Sequence, residues 1–170
     1  METLYRTCRE LYACQQPKWF KRFFTLVAGD ACYATLNWEK PWSFTASAST
    51  ADGQWEFDHQ GLLQSRIPVR DGVSKAELGL FLTRRYGGLL TLSEKGSYVW
   101  KLNGILRAES MWNTMQGMPL LHCTLRHWST TKANLLIAPE ARNSPDLPLL
   151  VVLDWYIRLM MFGLAGTVIL

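Results

Sequence analysis

The sequence predicts a mainly β domain that encloses one apolar helix, and three observations support this fold class. From about Cys32 onward, short runs of alternating polar and apolar residues are separated by turn dipeptides, a pattern typical of antiparallel sheet. Two segments of this region match each other without a gap. The chain closes with a strongly apolar segment, Leu147 to Leu170, whose length and composition predict a helix.

Composition limits the number of domains and the class of partner. The chain has 170 residues, of which 48% are hydrophobic and 19% charged, as expected of one globular domain. A net charge of +4 suits an anionic partner. The basic residues are scattered, however, and do not form the dense stripe of a nucleic-acid-binding protein. We therefore expect no nucleic-acid partner.

The cysteines and the N-terminus indicate a cytoplasmic protein. The cysteines have neither a CxxC pair nor a repeated spacing, so the sequence predicts free thiols, without a structural zinc site or a disulfide framework. The first residues lack the basic and then apolar order of a secretory signal. The cysteines are Cys8, Cys14, Cys32 and Cys123.

The first clear strands surround a hairpin turn. Residues 43–49 alternate between polar and apolar side chains, and Asp52-Gly53 predicts a tight turn after them. Trp55 and Phe57 then share one face of the next strand. Further turns and alternating runs bring the number of predicted strands to about ten. The turns include Gln60-Gly61, Asp71-Gly72 and Asn103-Gly104, and the alternating runs include Ala76, Leu78, Leu80, Leu82 and Tyr98, Trp100, Leu102.

The internal repeat aligns residues 53–63 with residues 96–106 at one constant offset. Glycines fall on glycines at both ends of the strand, Trp55 falls on Tyr98, and Phe57 falls on Trp100. Matching glycines, aromatics and aliphatics at one offset indicate a duplicated hairpin, although two copies are too few for a solenoid or a propeller. The sequence therefore predicts a closed or nearly closed sheet built from two similar halves.

Residues 1–31 differ from this region and are predicted to form a separate helical and aromatic segment before a β domain over 32–170. Thr3 to Gln16 fits a short helix that Pro17 interrupts. Residues 18–24 then alternate cations with aromatic side chains. This run fits a basic amphipathic helix lying on a membrane surface, and it equally fits an aromatic strand that packs on the sheet.

The last segment is predicted to be a helix over about 147–162. Asp146 occupies an N-cap position and Pro148 the first turn, where its missing N–H costs nothing. A helix that is apolar all round must be buried, either in lipid as a span over 147–170 or in the protein interior. Asp154 and Arg158 are four residues apart and can form an ion pair along one face. Since each would be costly near a bilayer centre, the sequence favours a core helix.

No catalytic or metal-binding pattern is present in the sequence. The three histidines, His59, His122 and His127, lack the spacing of metal ligands. There is no phosphate-binding glycine loop and no nucleophile motif, and the acidic residues alternate on strand surfaces. The sequence therefore predicts a non-enzymatic domain with no catalytic residues, no metal and no cofactor.

The chain resembles the tubby C-terminal-like superfamily, in particular its LURP-one-related and phospholipid-scramblase-like branches. The resemblance lies in a strand-rich, duplicated chain that ends in a strand, a polar loop with proline and an apolar helix, and it covers roughly Cys32 to Phe162. It implies a closed antiparallel barrel of about twelve strands around a hydrophobic C-terminal helix. The segments that carry it are 96–102, 105–112, 119–126, 133–137 and 147–160.

The resemblance also implies a function, because characterised members bind membrane phosphoinositides through basic residues outside the barrel or are proposed to move phospholipids. We therefore expect a cytoplasmic protein, peripheral at the membrane, that binds an anionic phospholipid or acts as a scaffold. No calcium loop of the scramblase kind is present, and protein partners stay unspecified. The alternative is a tail-anchored membrane protein. The candidate lipid-binding residues are Lys18, Lys21, Arg22, Arg84 and Arg85.

Overall fold

The structure, a computed structural model, describes residues 12–15, 23–28, 30–40, 42–61, 65–84, 86–93, 96–103, 109–125 and 133–163. These residues form one antiparallel sheet of twelve strands and one α-helix. The strands are β1 (Tyr12–Gln15), β2 (Phe23–Ala28), β3 (Ala31–Trp38), β4 (Thr45–Thr50), β5 (Gln54–Asp58), β6 (Arg66–Asp71), β7 (Glu77–Arg84), β8 (Gly87–Leu92), β9 (Gly96–Asn103), β10 (Glu109–Thr114), β11 (Pro119–Leu125) and β12 (Ala133–Ile137). A short 3₁₀ helix (Pro139–Ala141) precedes the helix α1 (Leu147–Gly163).

The strands follow one another through the sheet in chain order, so each strand pairs with the next one along the sequence. This confirms a mainly β fold with a single helix near the C-terminus. Strands β1 and β12 come into contact. No ladder of hydrogen bonds joins them within the described residues, so closure of the sheet into a barrel stays a prediction.

Helix α1 forms the core around which the sheet bends. Every side chain from Leu147 to Met160 is buried, and α1 contacts strands as distant in the sheet as β3 and β11. Tyr156 stacks on Trp38 with ring centroids 5.9 Å apart, and its hydroxyl donates a hydrogen bond to the Phe44 carbonyl. A helix without a polar face is therefore buried by protein on all sides, as the sequence predicted.

The leucines of the predicted run, Leu78, Leu80 and Leu82, lie in strand β7, but the buried face of this strand is not the one that carries them. Leu78 and Leu80 are half-buried and Leu82 is exposed. The inward positions belong to Gly79 and Phe81, which are buried. Apolar residues occupy both faces of β7, so periodicity alone could not decide which face meets α1.

The prediction of a helix near the N-terminus was wrong where the structure describes it. Tyr12–Gln15 is strand β1, and its pairing with Phe24–Val27 of β2 makes both strands part of the same sheet as the rest of the chain. Residues 3–11, 16 and 18–22 lie outside the described residues. The aromatic alternative is the one that applies to Phe23 and Phe24, which lie in β2.

Antiparallel order gives the sheet two distinct ends. The helix begins at one end, beside the turns β4–β5 and β6–β7, and finishes at the other, beside the connections β3–β4, β5–β6 and β7–β8. We call the end at which α1 finishes the exit end, and the other the opposite end. This division decides which connections share a surface.

Candidate functional site

A network of buried polar side chains lies between α1 and the sheet. Asp154 is 1% exposed, and its Oδ1 accepts hydrogen bonds from Trp100 Nε1 at 2.7 Å and from Ser110 Oγ at 2.6 Å. Trp100 lies in β9 and Ser110 in β10, so one carboxylate ties the helix to two strands. Each oxygen that burial removes from water needs such partners.

Arg158 completes the network. It is 2% exposed, and its Nε donates to Asp154 Oδ2 at 2.8 Å, which is the pair that the four-residue spacing predicted. Its Nη2 donates to Ser110 Oγ and, at 2.6 Å, to the Cys123 carbonyl. Burial raises the pKa of the Cys123 thiol, with a further contribution from Asp154, so this cysteine is not activated as a nucleophile. The network holds the helix in register, and the cavity that Asp154 and Cys123 line measures only about 10 Å³.

Of the five candidate lipid-binding residues, the structure describes one. Arg84 is exposed and ends β7 at the exit end of the sheet. Lys18, Lys21, Arg22 and Arg85 lie outside the described residues. Their proposed role therefore stays a prediction from sequence.

Two further cations that sequence reasoning missed lie near Arg84. Arg66 begins β6 and is paired in register with Leu82, while Arg84 and Lys101 both pair with Gly87 from opposite sides. Arg66 and Lys101 are exposed, like Arg84. No ion pair joins any of the three to another described residue. Their charges are consequently available to an anion at this edge of the sheet.

Exposed apolar side chains accompany these cations. Trp42 is 77% exposed and Phe44 is 43% exposed in the β3–β4 connection, Tyr86 is 62% exposed between β7 and β8, and Met161 is 41% exposed on the last turn of α1. Tryptophan and tyrosine prefer the boundary between water and lipid, since one part of each side chain is apolar and another is polar. The exit end thus combines cations with interfacial aromatics.

A cavity of about 460 Å³ opens at the exit end. It lies between the end of α1 and the inner faces of the sheet, and no carboxylate of the described residues lines it. Its apolar walls are Phe44, Ile67, Ile157, Met160 and Met161, and its polar lining is His59, Ser65 and Thr83 together with Gly61. A pocket of this size with mostly apolar walls and few polar groups is typical of small-molecule sites.

His59 is the titratable side chain of this cavity. It is half-buried, and its ring lies 5.6 Å from the ring of Phe44. Burial lowers the pKa of His59 below 6.5, and the nearby Asp58 carboxylate opposes that shift only in part. The imidazole is therefore neutral at pH 7.

The opposite end of the sheet has a second cavity with different chemistry. It measures about 400 Å³ and is bordered by four carboxylates. Asp146 begins α1 there, and its Oδ2 accepts a hydrogen bond from the Tyr98 hydroxyl at 2.7 Å. This cavity repels anions, whereas the exit cavity does not. The carboxylates belong to Asp52, Asp71, Glu77 and Asp146.

The sequence contains a signal for this asymmetry that strand counting alone did not use. By chain order, segments 16–22, 104–108 and 126–132 connect strands at the exit end, and they contain Lys or Arg but no Asp or Glu; segment 59–65 contains neither, and segment 39–44 contains one residue of each sign. Connections at the opposite end carry more acidic than basic residues. The alternation of ends along an antiparallel sheet would have grouped them. Segments 16–22, 104–108 and 126–132 lie outside the described residues, so their place at this end is inferred from strand order alone.

Three observations complete the description of the site. The described residues contain no group of His, Cys, Asp or Glu side chains arranged to hold a metal ion. No helix in the described part of the chain is both long and apolar enough to cross a bilayer. Comparisons of the chain with protein-family models, curated proteins and solved structures found no match.

Proposed function

We propose that this protein is a non-enzymatic domain that binds an anionic membrane surface through the exit end of its sheet. The observation that carries the proposal is the coincidence, at one end, of three features: exposed cations without an ion pair to a described residue, exposed aromatic side chains, and a cavity that no carboxylate of the described residues lines. The cations are Arg66, Arg84 and Lys101, and the aromatics are Trp42, Phe44 and Tyr86. The protein is then peripheral at the membrane, and the acidic opposite end faces away from it.

The physical basis is the negative potential of a leaflet that contains anionic lipid. Each Lys or Arg close to such a surface contributes about 1 kcal/mol to binding. The attraction extends over about one Debye length, roughly 10 Å at 0.1 M salt, so it weakens as salt is added. Aromatic side chains at the boundary add affinity that salt does not screen. We therefore expect retention that is partly, and not wholly, lost at high salt.

The test compares retention of the full chain on neutral phosphatidylcholine vesicles and on vesicles that also contain phosphatidylserine. The variant Arg66→Gln/Arg84→Gln removes two cations at the exit end. At about 1 kcal/mol each, its partition coefficient on anionic vesicles should fall roughly thirtyfold. The matched control, Arg142→Gln/Lys75→Gln, removes the same charge at the opposite end, and the vesicles should retain it as well as they retain wild type. Equal retention of the wild-type protein on neutral and anionic vesicles would contradict the proposal.

The candidates named from sequence enter the same assay. Replacing Lys18, Lys21 and Arg22 by glutamine, or Arg84 together with Arg85, should weaken retention and reduce its dependence on salt. Variants that leave retention unchanged would remove those residues from the proposed surface without affecting the case for Arg66 and Lys101. Phosphoinositide vesicles, compared at equal total charge, distinguish a specific headgroup from a general anionic surface.

We propose in addition that the sheet closes into a barrel in which β12 lies beside β1, as the resemblance to the tubby-like superfamily implies. Support comes from the contact between these strands and from a small cavity shared by Leu26 of β2, Ala133 and Leu135 of β12, and Trp155 of α1. In a closed barrel the backbone amides of both strands are paired and exchange slowly with deuterium. Rapid exchange along one edge of either strand would indicate an open sheet.

The alternative function is a tail-anchored membrane protein with a span over residues 147–170. It requires lipid to take the place of the sheet around α1, whose side chains from Leu147 to Met160 are buried by protein. A fragment of residues 1–146 separates the two proposals. If α1 is the core, the fragment should unfold or aggregate, because its loss leaves a cavity the size of a helix. A soluble fragment that unfolds cooperatively would favour the tail anchor.

A further inference from the structure

The exit cavity is larger than a membrane-binding surface needs. Charge and aromatic side chains suffice to hold a domain on lipid, yet about 460 Å³ of space lies open behind them between α1 and the sheet. The opening reaches the surface, and its volume lies in the range of clefts that bind small molecules. The lining therefore indicates what the space could accept.

The walls of the cavity suit a flexible hydrocarbon. Ile67 comes from β6, Ile157 and Met160 from α1, and Phe44 from the β3–β4 connection. Methionine is unbranched and polarizable, so Met160 and Met161 can adapt to a chain that adopts several conformations. Polar groups lie among the rim residues His59, Ser65 and Thr83, and none of these is charged at pH 7 when His59 is neutral.

The position of the neighbouring cations suits an anionic headgroup at the mouth. Arg66 lies between Ser65 and Ile67, which both line the cavity, and Arg84 follows Thr83, which also lines it. Successive side chains of a strand point to opposite faces. The lining residues thus face inward while the two guanidinium groups stand on the outside of the same strands, within one residue of the rim.

The cavity at the opposite end shows that this chemistry is specific to the exit end. Its volume, about 400 Å³, is similar, but carboxylates border it. An anionic lipid would be repelled there and an uncharged chain would displace water from the carboxylates at a cost. Of these two cavities, therefore, the one at the exit end matches both halves of an anionic lipid and the one at the opposite end does not.

We infer that the exit cavity accepts one acyl chain of an anionic membrane lipid, with Arg66 and Arg84 against its headgroup. This inference rests on the proposed function and adds to it the ligand: a single lipid molecule withdrawn in part from the bilayer. The acyl chain lies against Ile67, Ile157 and Met160, and the headgroup stays at the rim in water. Retention on the membrane then includes a step that depends on the chain and is not screened by salt.

Binding of soluble lipid tests the inference directly. Calorimetric titration with lysophosphatidylglycerols whose acyl chain is hexanoyl, octanoyl or decanoyl, each below its micelle concentration, should show affinity that rises about fourfold for each added methylene group. The rise should stop once the chain fills the cavity. Affinity that does not depend on chain length would overturn the inference, and so would equal binding of a free fatty acid of the same length.

A pair of variants with the same chemical change locates the site. Ser65→Phe fills the exit cavity, and Ser93→Phe places the same ring in the cavity at the opposite end. We expect Ser65→Phe to lose at least tenfold in affinity for the decanoyl lipid and Ser93→Phe to bind as wild type does. Thr83→Phe is the second variant of the exit cavity if Ser65→Phe does not fold. Loss of binding in Ser93→Phe alone would place the lipid elsewhere and overturn the inference.

The failure of this inference and the failure of the proposed function give different results. If the protein binds the membrane surface but not the acyl chain, wild type and Ser65→Phe should be retained equally on anionic vesicles. Adding Arg66→Gln/Arg84→Gln to either protein should still weaken its retention. If the exit end does not bind anionic membranes, the wild-type protein should be retained equally on anionic and neutral vesicles. This result does not depend on the chain length of the soluble lipid in the calorimetric titration. Vesicle retention and calorimetry of the same variants therefore separate the two.

Discussion

Arg158→Met breaks the buried ion pair while filling most of the space of the arginine side chain, and its cost can be worked out from the contacts of Asp154. The carboxylate, 1% exposed, loses the guanidinium 2.8 Å away and keeps the neutral donors of Trp100 and Ser110. Removing one partner of a buried pair costs about 3–5 kcal/mol, because an uncompensated charge stays in the core. For a chain of this length the midpoint of thermal unfolding should fall by about 6–20 °C.

The double variant Asp154→Leu/Arg158→Met tells whether the cost comes from the charge. Two independent losses would add to about 6–10 kcal/mol. The double variant leaves no buried charge, so it should cost about as much as either single variant, the remainder being the unpaired donors of Trp100 and Ser110. The coupling energy is then about 3 kcal/mol or more.

Urea unfolding followed by tryptophan fluorescence measures these free energies. The matched control is Arg70→Met, which removes an arginine 3.5 Å from Glu56 in an ion pair at the surface and should cost less than about 1 kcal/mol. Additivity of the two single variants within about 0.5 kcal/mol would refute the account of a coupled buried pair. A loss in Arg158→Met no larger than in Arg70→Met would refute it as well.

Two further predictions concern titratable side chains at the two ends of the sheet. Because burial lowers the pKa of His59 below its unfolded value of 6.5, the contribution of His59 to the free energy of unfolding should be constant above that pH and decrease as the pH falls below it. Acid titrations of stability should show this decrease flattened in His59→Gln and kept in the control His122→Gln; an unchanged titration in His59→Gln would contradict it. Tyr98→Phe should lower stability at pH 7 by about 1.5–3 kcal/mol, because the hydroxyl donates to the Asp146 carboxylate. Burial, and then the bond to Asp146, raise the pKa of Tyr98 to about 12, so the wild-type protein should lose stability as the pH rises from 10 to about 12, and Tyr98→Phe should lose less; equal alkaline losses would count against this role.

The strands and the helix could be predicted from the sequence because their signals are local. Alternation and turn dipeptides predicted β4, β5 and β9, and an N-cap followed by a run that is apolar except for Asp154 and Arg158 predicted α1. The spacing of Asp154 and Arg158 predicted their pairing for the same reason, since residues four apart in a helix are neighbours. These properties depend on residues close together in the chain.

What the sequence could not supply depends on residues far apart in the chain. Both faces of β7 carry apolar side chains, so only packing in the core, where Phe81 lies against Trp100 and Trp112, decided that Phe81 faces inward and Leu82 outward. The partners of Asp154 on β9 and β10 are 54 and 44 residues away.

The helix was thus determined by the sequence itself, in its length, its apolarity and its one ion pair. The sequence favoured burial by protein, because Asp154 and Arg158 would be costly in lipid, but only the tertiary structure decided which strands surround the helix. The candidate site, likewise, was decided only by the tertiary structure. Arg66, Arg84 and Lys101 are ordinary surface cations in the sequence, and they meet beside a cavity only because the antiparallel order of the strands brings their ends to one edge.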